Sequence, residues 1–260
     1  MEKNLKSDIT PFEMYDNLFF VGSSKVSVHI IRTEKGLVMI DTGYPDMYEQ
    51  ILNSMEKLGL DPKDLCAIFH SHGHIDHFGG TIRLKELSGA KTYISRIDNE
   101  IVNGTRDLSW AKELGMDRMP PFNCDVLVND GDCFTFGSTT VRCRLTPGHT
   151  EGTLSFFITF KDNVIAAMHG GIGFKSMSTK FLTEYNLSFD CREKFINGLH
   201  ALADERVDLV LGNHPGQTDT QGKLKRLQSG EASILDPTEW KEFLKKTEKS
   251  FDEFLKRDSN

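Results

Sequence analysis

The stretch Leu65-Cys66-Ala67-Ile68-Phe69-His70-Ser71-His72-Gly73-His74-Ile75-Asp76-His77-Phe78-Gly79-Gly80 decides how this chain is read. It starts as a short apolar run, the pattern of a buried strand. From His72 to His77 it then places three imidazoles and one carboxylate within six residues. Neutral imidazole and carboxylate are the nitrogen and oxygen ligands that zinc and related ions take. The i, i+2 spacing just past a strand points His72 and His74 the same way. Asp76 and His77 follow where the chain turns, and can face a second ion. A solvated histidine-rich loop is the weaker reading.

Three more blocks belong with this one. Upstream, Val38-Met39-Ile40-Asp41-Thr42-Gly43 ends an apolar strand in Asp-Thr-Gly. Downstream come Thr146-Pro147-Gly148-His149-Thr150-Glu151-Gly152 and Leu211-Gly212-Asn213-His214-Pro215. The order and spacing of the four blocks resemble the signature of the metallo-β-lactamase superfamily. That resemblance implies an α/β fold, the αββα sandwich of two mixed sheets between helices, with the metals at one edge. It implies a first ion on His72, His74 and His149, and a second on Asp76, His77 and His214. Three protein ligands per ion leave open positions, as in catalytic sites. The implied cofactors are two Zn²⁺ per chain. The implied chemistry is attack on a carbonyl by a metal-bridging hydroxide that Asp76 orients, since metal lowers the pKa of bound water towards about 7.

Composition fits a globular enzyme. The chain has 260 residues, 38% hydrophobic, with 18 Phe, enough for a sizeable core. We read residues 1–260 as one domain, with no linker and no short-period repeat. The net charge of −7 argues against nucleic acid as a partner. The expected partner is a small-molecule carbonyl substrate. No apolar stretch approaches the roughly 20 residues of a membrane span. The start, Met1 to Asp8, has no apolar core and does not read as a secretion signal. Cys66, Cys124, Cys133, Cys143 and Cys191 are odd in number and form no Cys-x-x-Cys, which fits reduced thiols and a cytoplasmic location.

Periodicity and turn residues predict strands at Leu18–Val21, Val26–Thr33, Leu37–Asp41, Cys66–Phe69 and Lys91–Ser95. Helices are expected at Pro45–Leu58, Thr81–Leu87 and Cys191–Leu202. Val126–Val128, Cys133–Phe136, Thr139–Thr146 and Thr153–Phe160 read as a meander leading to Val164–Met168, with Leu209–Leu211 a further strand. Asn103–Asn123 and Gly170–Asn186 read as long loops, the kind that wall a pocket and set specificity. In the tail, Asp236-Pro237-Thr238-Glu239 predicts a helix start with Glu239 reaching back to its cap. Trp240, Phe243, Leu244, Thr247, Phe251, Phe254 and Leu255 form its core-facing stripe.

Asp41 reads as an orienting group for the ligand loop. His29, His70 and His200 read as structural or supporting, not as ligands. Many superfamily members place a metal-bridging Asp after the strand that follows the Pro-Gly-His block. Here Val164-Ile165-Ala166-Ala167-Met168 is followed by His169-Gly170-Gly171 instead. The missing Asp, the missing cysteine ligand and His77 resemble the third subclass of metallo-β-lactamases, and Gly230–Pro237 is similar to that subclass's closing segment. Its serine-containing segment has no match here. His169 has two readings: a catalytic group near metal or substrate, or a packed strand-end histidine. Lys175, Lys180 and Tyr185 are candidates to hold a substrate carboxylate. The function so implied is a dinuclear zinc hydrolase with β-lactam hydrolysis. The alternatives are an ester, lactone or thioester hydrolase, or an iron-dependent oxidoreductase on the same fold.

Overall fold

Two sheets face each other across a shared apolar layer. This computed structural model describes residues 9–231 and 233–258. The amino-terminal start read above for export, and Ala232 of the Gly230–Pro237 segment, lie outside the described residues. The first sheet runs, in spatial order, through β1 (Phe12–Tyr15), β2 (Leu18–Phe20), β3 (His29–Thr33), β4 (Gly36–Ile40), β5 (Leu65–Phe69), β6 (Lys91–Ser95) and β7 (Val126–Val128). The second holds β8 (Cys133–Phe136), β9 (Thr139–Leu145), β10 (Leu154–Thr159), β11 (Ile165–His169) and β12 (Leu209–Gly212).

Strand direction follows from the connections. Tight turns join β1 to β4 and make them antiparallel. Helices α1 (Tyr48–Lys57), α2 (Ile75–Phe78), α3 (Thr81–Ser88) and α4 (Asn99–Val102) intervene later, and β4 to β7 are accordingly parallel. In the second sheet, α5 (Thr179–Glu184) and α6 (Cys191–Ala201) carry the chain from β11 to a parallel β12. Then α7 (Thr220–Gln228) and α8 (Glu239–Asp258) finish the described chain.

Between the sheets lie Phe20, Ile31, Val38 and Phe69 from one side and Phe156, Met168 and Leu211 from the other. Phe69 stacks on Tyr93 at 4.3 Å and meets Phe134, Phe136 and Phe156 edge-on or tilted. Truncating such a buried ring to alanine costs about 3–5 kcal/mol. The outer face of the first sheet packs Met39 and Ile68 on Ile51 and Met55 of α1 and Leu84 of α3. The outer face of the second packs Phe157 and Val210 on Phe195 of α6 and Trp240, Leu244 and Phe251 of α8. The architecture is the αββα sandwich.

Four details differ from the sequence expectations. β7 does not join the meander: it pairs with β6 in the first sheet, and the meander proper is β8 to β11. Val26–Val28 precedes the strand, which begins at His29. The stretch 170–186 is not all loop, because Ser178 caps the short α5 by accepting the Phe181 N–H. At the tail, Asp236 accepts from Thr238 as expected of a cap, but Glu239 turns away to pair with Lys223 at 2.6 Å. A buried ammonium is the stronger attractor for that carboxylate.

Candidate metal centre

The parallel strands deliver the candidate ligands to one edge. Ile40 of β4 pairs with Phe69 of β5, and the Asp41 N–H donates to the Phe69 carbonyl at 2.8 Å. Asp41 and the segment His70–His72 therefore emerge side by side. His74 is the extended residue before the single-turn α2, which carries Asp76 and His77. His149 lies between β9 and β10, and His214 follows β12, whose Gly212 pairs with His169.

Two triads result. His72, His74 and His149 form one, and Asp76, His77 and His214 the other; within each, the ligand atoms lie within 4.8 Å of one another. Each triad has two buried members and one half-buried member, His149 or His214. The two triads touch, with the rings of His72 and His77 at 4.2 Å.

Hydrogen bonds fix which nitrogen faces inward. His149 Nδ1 donates to the Gly173 carbonyl at 2.7 Å, and His214 Nδ1 to the Lys25 carbonyl at 2.7 Å. A carbonyl only accepts, so both Nε2 atoms are left without a proton in the neutral ring. Ser71 Oγ donates to Asp41 at 2.8 Å, so it accepts from His72 Nδ1 at 3.0 Å, and His72 Nε2 is bare too. His72 Nε2 and His149 Nε2 then face each other at 3.1 Å with no proton between them. In the second triad, His77 Nδ1 lies 2.7 Å from Asp41 Oδ2, and its Nε2 is buried without a hydrogen-bond partner, 3.4 Å from Asp76. His214 Nε2 is 3.7 Å from the same carboxylate oxygen. Converging lone pairs and an orphaned buried nitrogen are what a cation would satisfy, so both donor sets fit divalent metal.

The surroundings tune the triads differently. Burial, reinforced by the neighbouring imidazoles, pushes His72 and His74 well below the ordinary histidine range, and burial pushes His149 down to about 4. These rings are neutral and ready as ligands at neutral pH. His77 resists burial and is lifted to about 10 by Asp76 and Asp41. Asp76 in turn resists burial and is held below the carboxylate range by His77 and the other imidazoles.

Asp41 joins both triads. Its carboxylate accepts from the Ser71 N–H at 2.7 Å, from Ser71 Oγ, and from His77. Its backbone is left-handed, with φ of 59°, a conformation held because three bonds and the sheet determine it. Two glycines allow close approach. A Cβ on Gly73 would come within 2.8 Å of Ile101, and one on Gly171 within 2.5 Å of the His149 ring. Gly171 and Gly173 thus make room for the His149 ring of the first triad.

Three contributors carried no sequence signal. Asp98 is fully buried; it accepts from the Gly73 N–H at 2.8 Å, Thr150 Oγ1 at 2.7 Å and the Gly152 N–H at 2.9 Å, and so clips the two ligand loops of the first triad together. Trp110 tilts over His74 at 5.3 Å and meets Phe181 at 4.7 Å. Tyr44 is pushed up to about 12 by burial and the Asp76 carboxylate, so its hydroxyl keeps its proton.

His169 belongs to neither triad. Its ring is buried beside Phe195 at 6.0 Å, Nδ1 accepts from the Gly171 N–H at 3.3 Å, and Nε2 has no partner. His70 is buried behind the ligand loop, 3.3 Å from Thr81. His29 is buried, and burial pushes it down to about 4. His200 is exposed and pairs with Glu248 at 2.8 Å. Tyr185 donates to Glu113, while Lys175 and Lys180 are exposed.

Residues 21–167 match the profile of the metallo-beta-lactamase superfamily. The chain belongs to that superfamily. In fold it resembles BJP-1, a subclass B3 metallo-beta-lactamase of Bradyrhizobium japonicum, with a TM-score of 0.88 at 24% identity over 99% of this chain and 97% of that one. An uncharacterised Aquifex aeolicus protein is 30% identical over 134 residues, covering 51% of this chain and 59% of the relative. An N-acyl homoserine lactonase from Bacillus sp is 24% identical over 178 residues, covering 60% and 64% respectively. The chain thus spans about three fifths of the length of these two curated relatives. No helix among the described residues is long and apolar enough to cross a membrane.

Proposed function

We propose that this superfamily member is a metal-dependent hydrolase with two zinc ions, one on His72, His74 and His149 and one on Asp76, His77 and His214. The observation that carries the reading is the convergence of bare imidazole nitrogens, three of them fixed by Nδ1 hydrogen bonds. Bound there, the ions supply an activated water at neutral pH and polarise a substrate carbonyl. The chain's own residues do the rest. Asp76 is the one carboxylate in the cluster, its side chain 10% exposed, and it accepts a hydrogen bond from the attacking water and orients it. Asp41 holds His77 and, through Ser71, His72 in register. Trp110 and Phe181 cover the His74 side and exclude water. His169 takes a positioning role behind the Gly170–Gly173 turn that holds His149.

The substrate is a small molecule with a hydrolysable carbonyl. The fold likeness to a B3 enzyme supports β-lactam cleavage, and the likeness to an N-acyl homoserine lactonase supports lactone, ester or thioester cleavage. The test pairs elemental analysis with a panel of a chromogenic cephalosporin, a lactone and a thioester. Two zinc ions per chain and turnover lost on chelation and in His72→Ala are expected. Full metal occupancy without turnover of any carbonyl substrate refutes the reading.

A further inference from the structure

A narrow slot with about 40 Å³ of room opens beside the first triad, space for roughly three water-sized groups. His74 and His149 line it; Asp76, His77 and His214 do not. Its walls include Ile101, Leu108, Phe181, Leu182 and Leu187. It therefore continues the metal centre sideways, between α4 and the segment from α5 to α6.

The polar groups that also line the slot are already engaged. Asp98 accepts from Thr150 Oγ1, itself a lining group, and from the Gly73 and Gly152 N–H groups behind the wall, at 2.7 to 2.9 Å, and Ser188 Oγ accepts from the Asp190 N–H at 3.2 Å. Ser176 Oγ donates to the His149 carbonyl at 2.7 Å. Arg106 pairs with Glu151 at 2.6 Å; both are partly exposed and so stand on the solvent side of the slot. Burial pushes the Cys191 thiol up, so it stays protonated and neutral. A polar group entering the slot would lose water and find few unengaged partners, a net cost. A hydrocarbon chain would lose nothing and would gain burial.

We infer that the slot beside His74 and His149 receives a short unbranched apolar chain of the substrate, so that this site acts on short-chain aliphatic esters, lactones or thioesters in preference to compounds with polar flanks. This rests on the hydrolase reading and deepens it. Trp110 packs against both Phe181 of the slot and His74, which makes its fluorescence a reporter of occupancy. The other tryptophan, Trp240, is buried on the far face of the second sheet and supplies a constant background.

Two measurements test the slot. The first is kcat/KM of the zinc-loaded protein for p-nitrophenyl esters from acetyl to octanoyl. The second is the fluorescence response of zinc-loaded and metal-free protein to acetamide, propionamide and butanamide, which need no turnover. A rise of about two- to fourfold per added methylene is expected until the slot is full, as burial of each CH₂ predicts. Amide affinity should rise with length in parallel. Leu187→Phe and Leu108→Phe, at two partly buried wall positions, should flatten both trends. Leu114→Ala, on an exposed residue away from the slot, should keep them. Flat trends in the parent protein, or trends that survive both phenylalanine variants, overturn the slot. Ester cleavage without length dependence overturns it while leaving the hydrolase reading intact. Length-dependent amide binding with no cleavage of any carbonyl substrate upholds the slot and overturns the hydrolase reading.

Discussion

The two triads have the same number of candidate ligands and are suited to a cation in opposite ways. The first is all imidazole. Burial holds its rings neutral, and close-packed Gly73 and Gly171 let neighbours press on the ligand loops. The second contains a carboxylate and sits against another, Asp41, and these charges hold His77 far above the ordinary histidine range. One group waits as desolvated neutral bases; the other waits as an ion pair. Desolvation depends on tight packing and charge pairing on a few short contacts, so the two should fail under different substitutions.

The largest effects test independence. His149→Ala and Asp76→Asn should each lower zinc from about two to about one per chain. Each should cut hydrolysis by roughly a thousandfold, the scale of losing a main electrostatic contribution to the transition state. If either variant loses both ions, the triads are one cooperative unit and the contrast fails.

Asp41→Asn should be milder. Removing an outer partner of a ligand weakens metal binding by about 10- to 100-fold. Asp41 contacts His77 directly at 2.7 Å but reaches His72 only through Ser71. Competition against a chelator should therefore show the second ion weakened more than the first. The reverse order would mean that Ser71, not His77, carries the influence of Asp41.

Gly171→Ala should have the smallest effect and the most local one. Its Cβ would meet the His149 ring at 2.5 Å, and overpacking of this kind costs about 1–3 kcal/mol. A lowered thermal midpoint and a weaker first ion are expected, with the second ion's affinity unchanged. Equal weakening of both ions would show that packing supports the second triad as well.

Local signals served the sequence reading well and partner choice served it poorly. The apolar run into His72–His77 and the Asp-Thr-Gly after Val38–Ile40 announce strand ends and donor groups by residue type alone. The six proposed ligands come from four separated blocks, and the structure brings them into two groups. By contrast, β7 is three residues long, and nothing in Val126–Val128 says that it pairs with β6 and not with the next strand. The short α4 and α5 span too few residues to show a helical period. Asp98 is a single carboxylate in an ordinary stretch, and its three donors come from two distant loops. His169 stands where relatives carry a bridging Asp, yet its ring packs by Phe195, a contact no motif encodes.

The facing nitrogens of His72 and His149, 3.1 Å apart, bear on how much of this protein persists in a cell. A cation between them would take up both lone pairs in a buried setting. The unfolded chain offers no such preformed site, so metal binding adds directly to folding stability. At a free cation concentration of a hundred times Kd the gain is about 2.7 kcal/mol, which changes the ratio of folded to unfolded chains about a hundredfold. Divalent-cation supply would then govern abundance as well as rate, because chains left empty in a starved cell unfold more often and meet proteases more often.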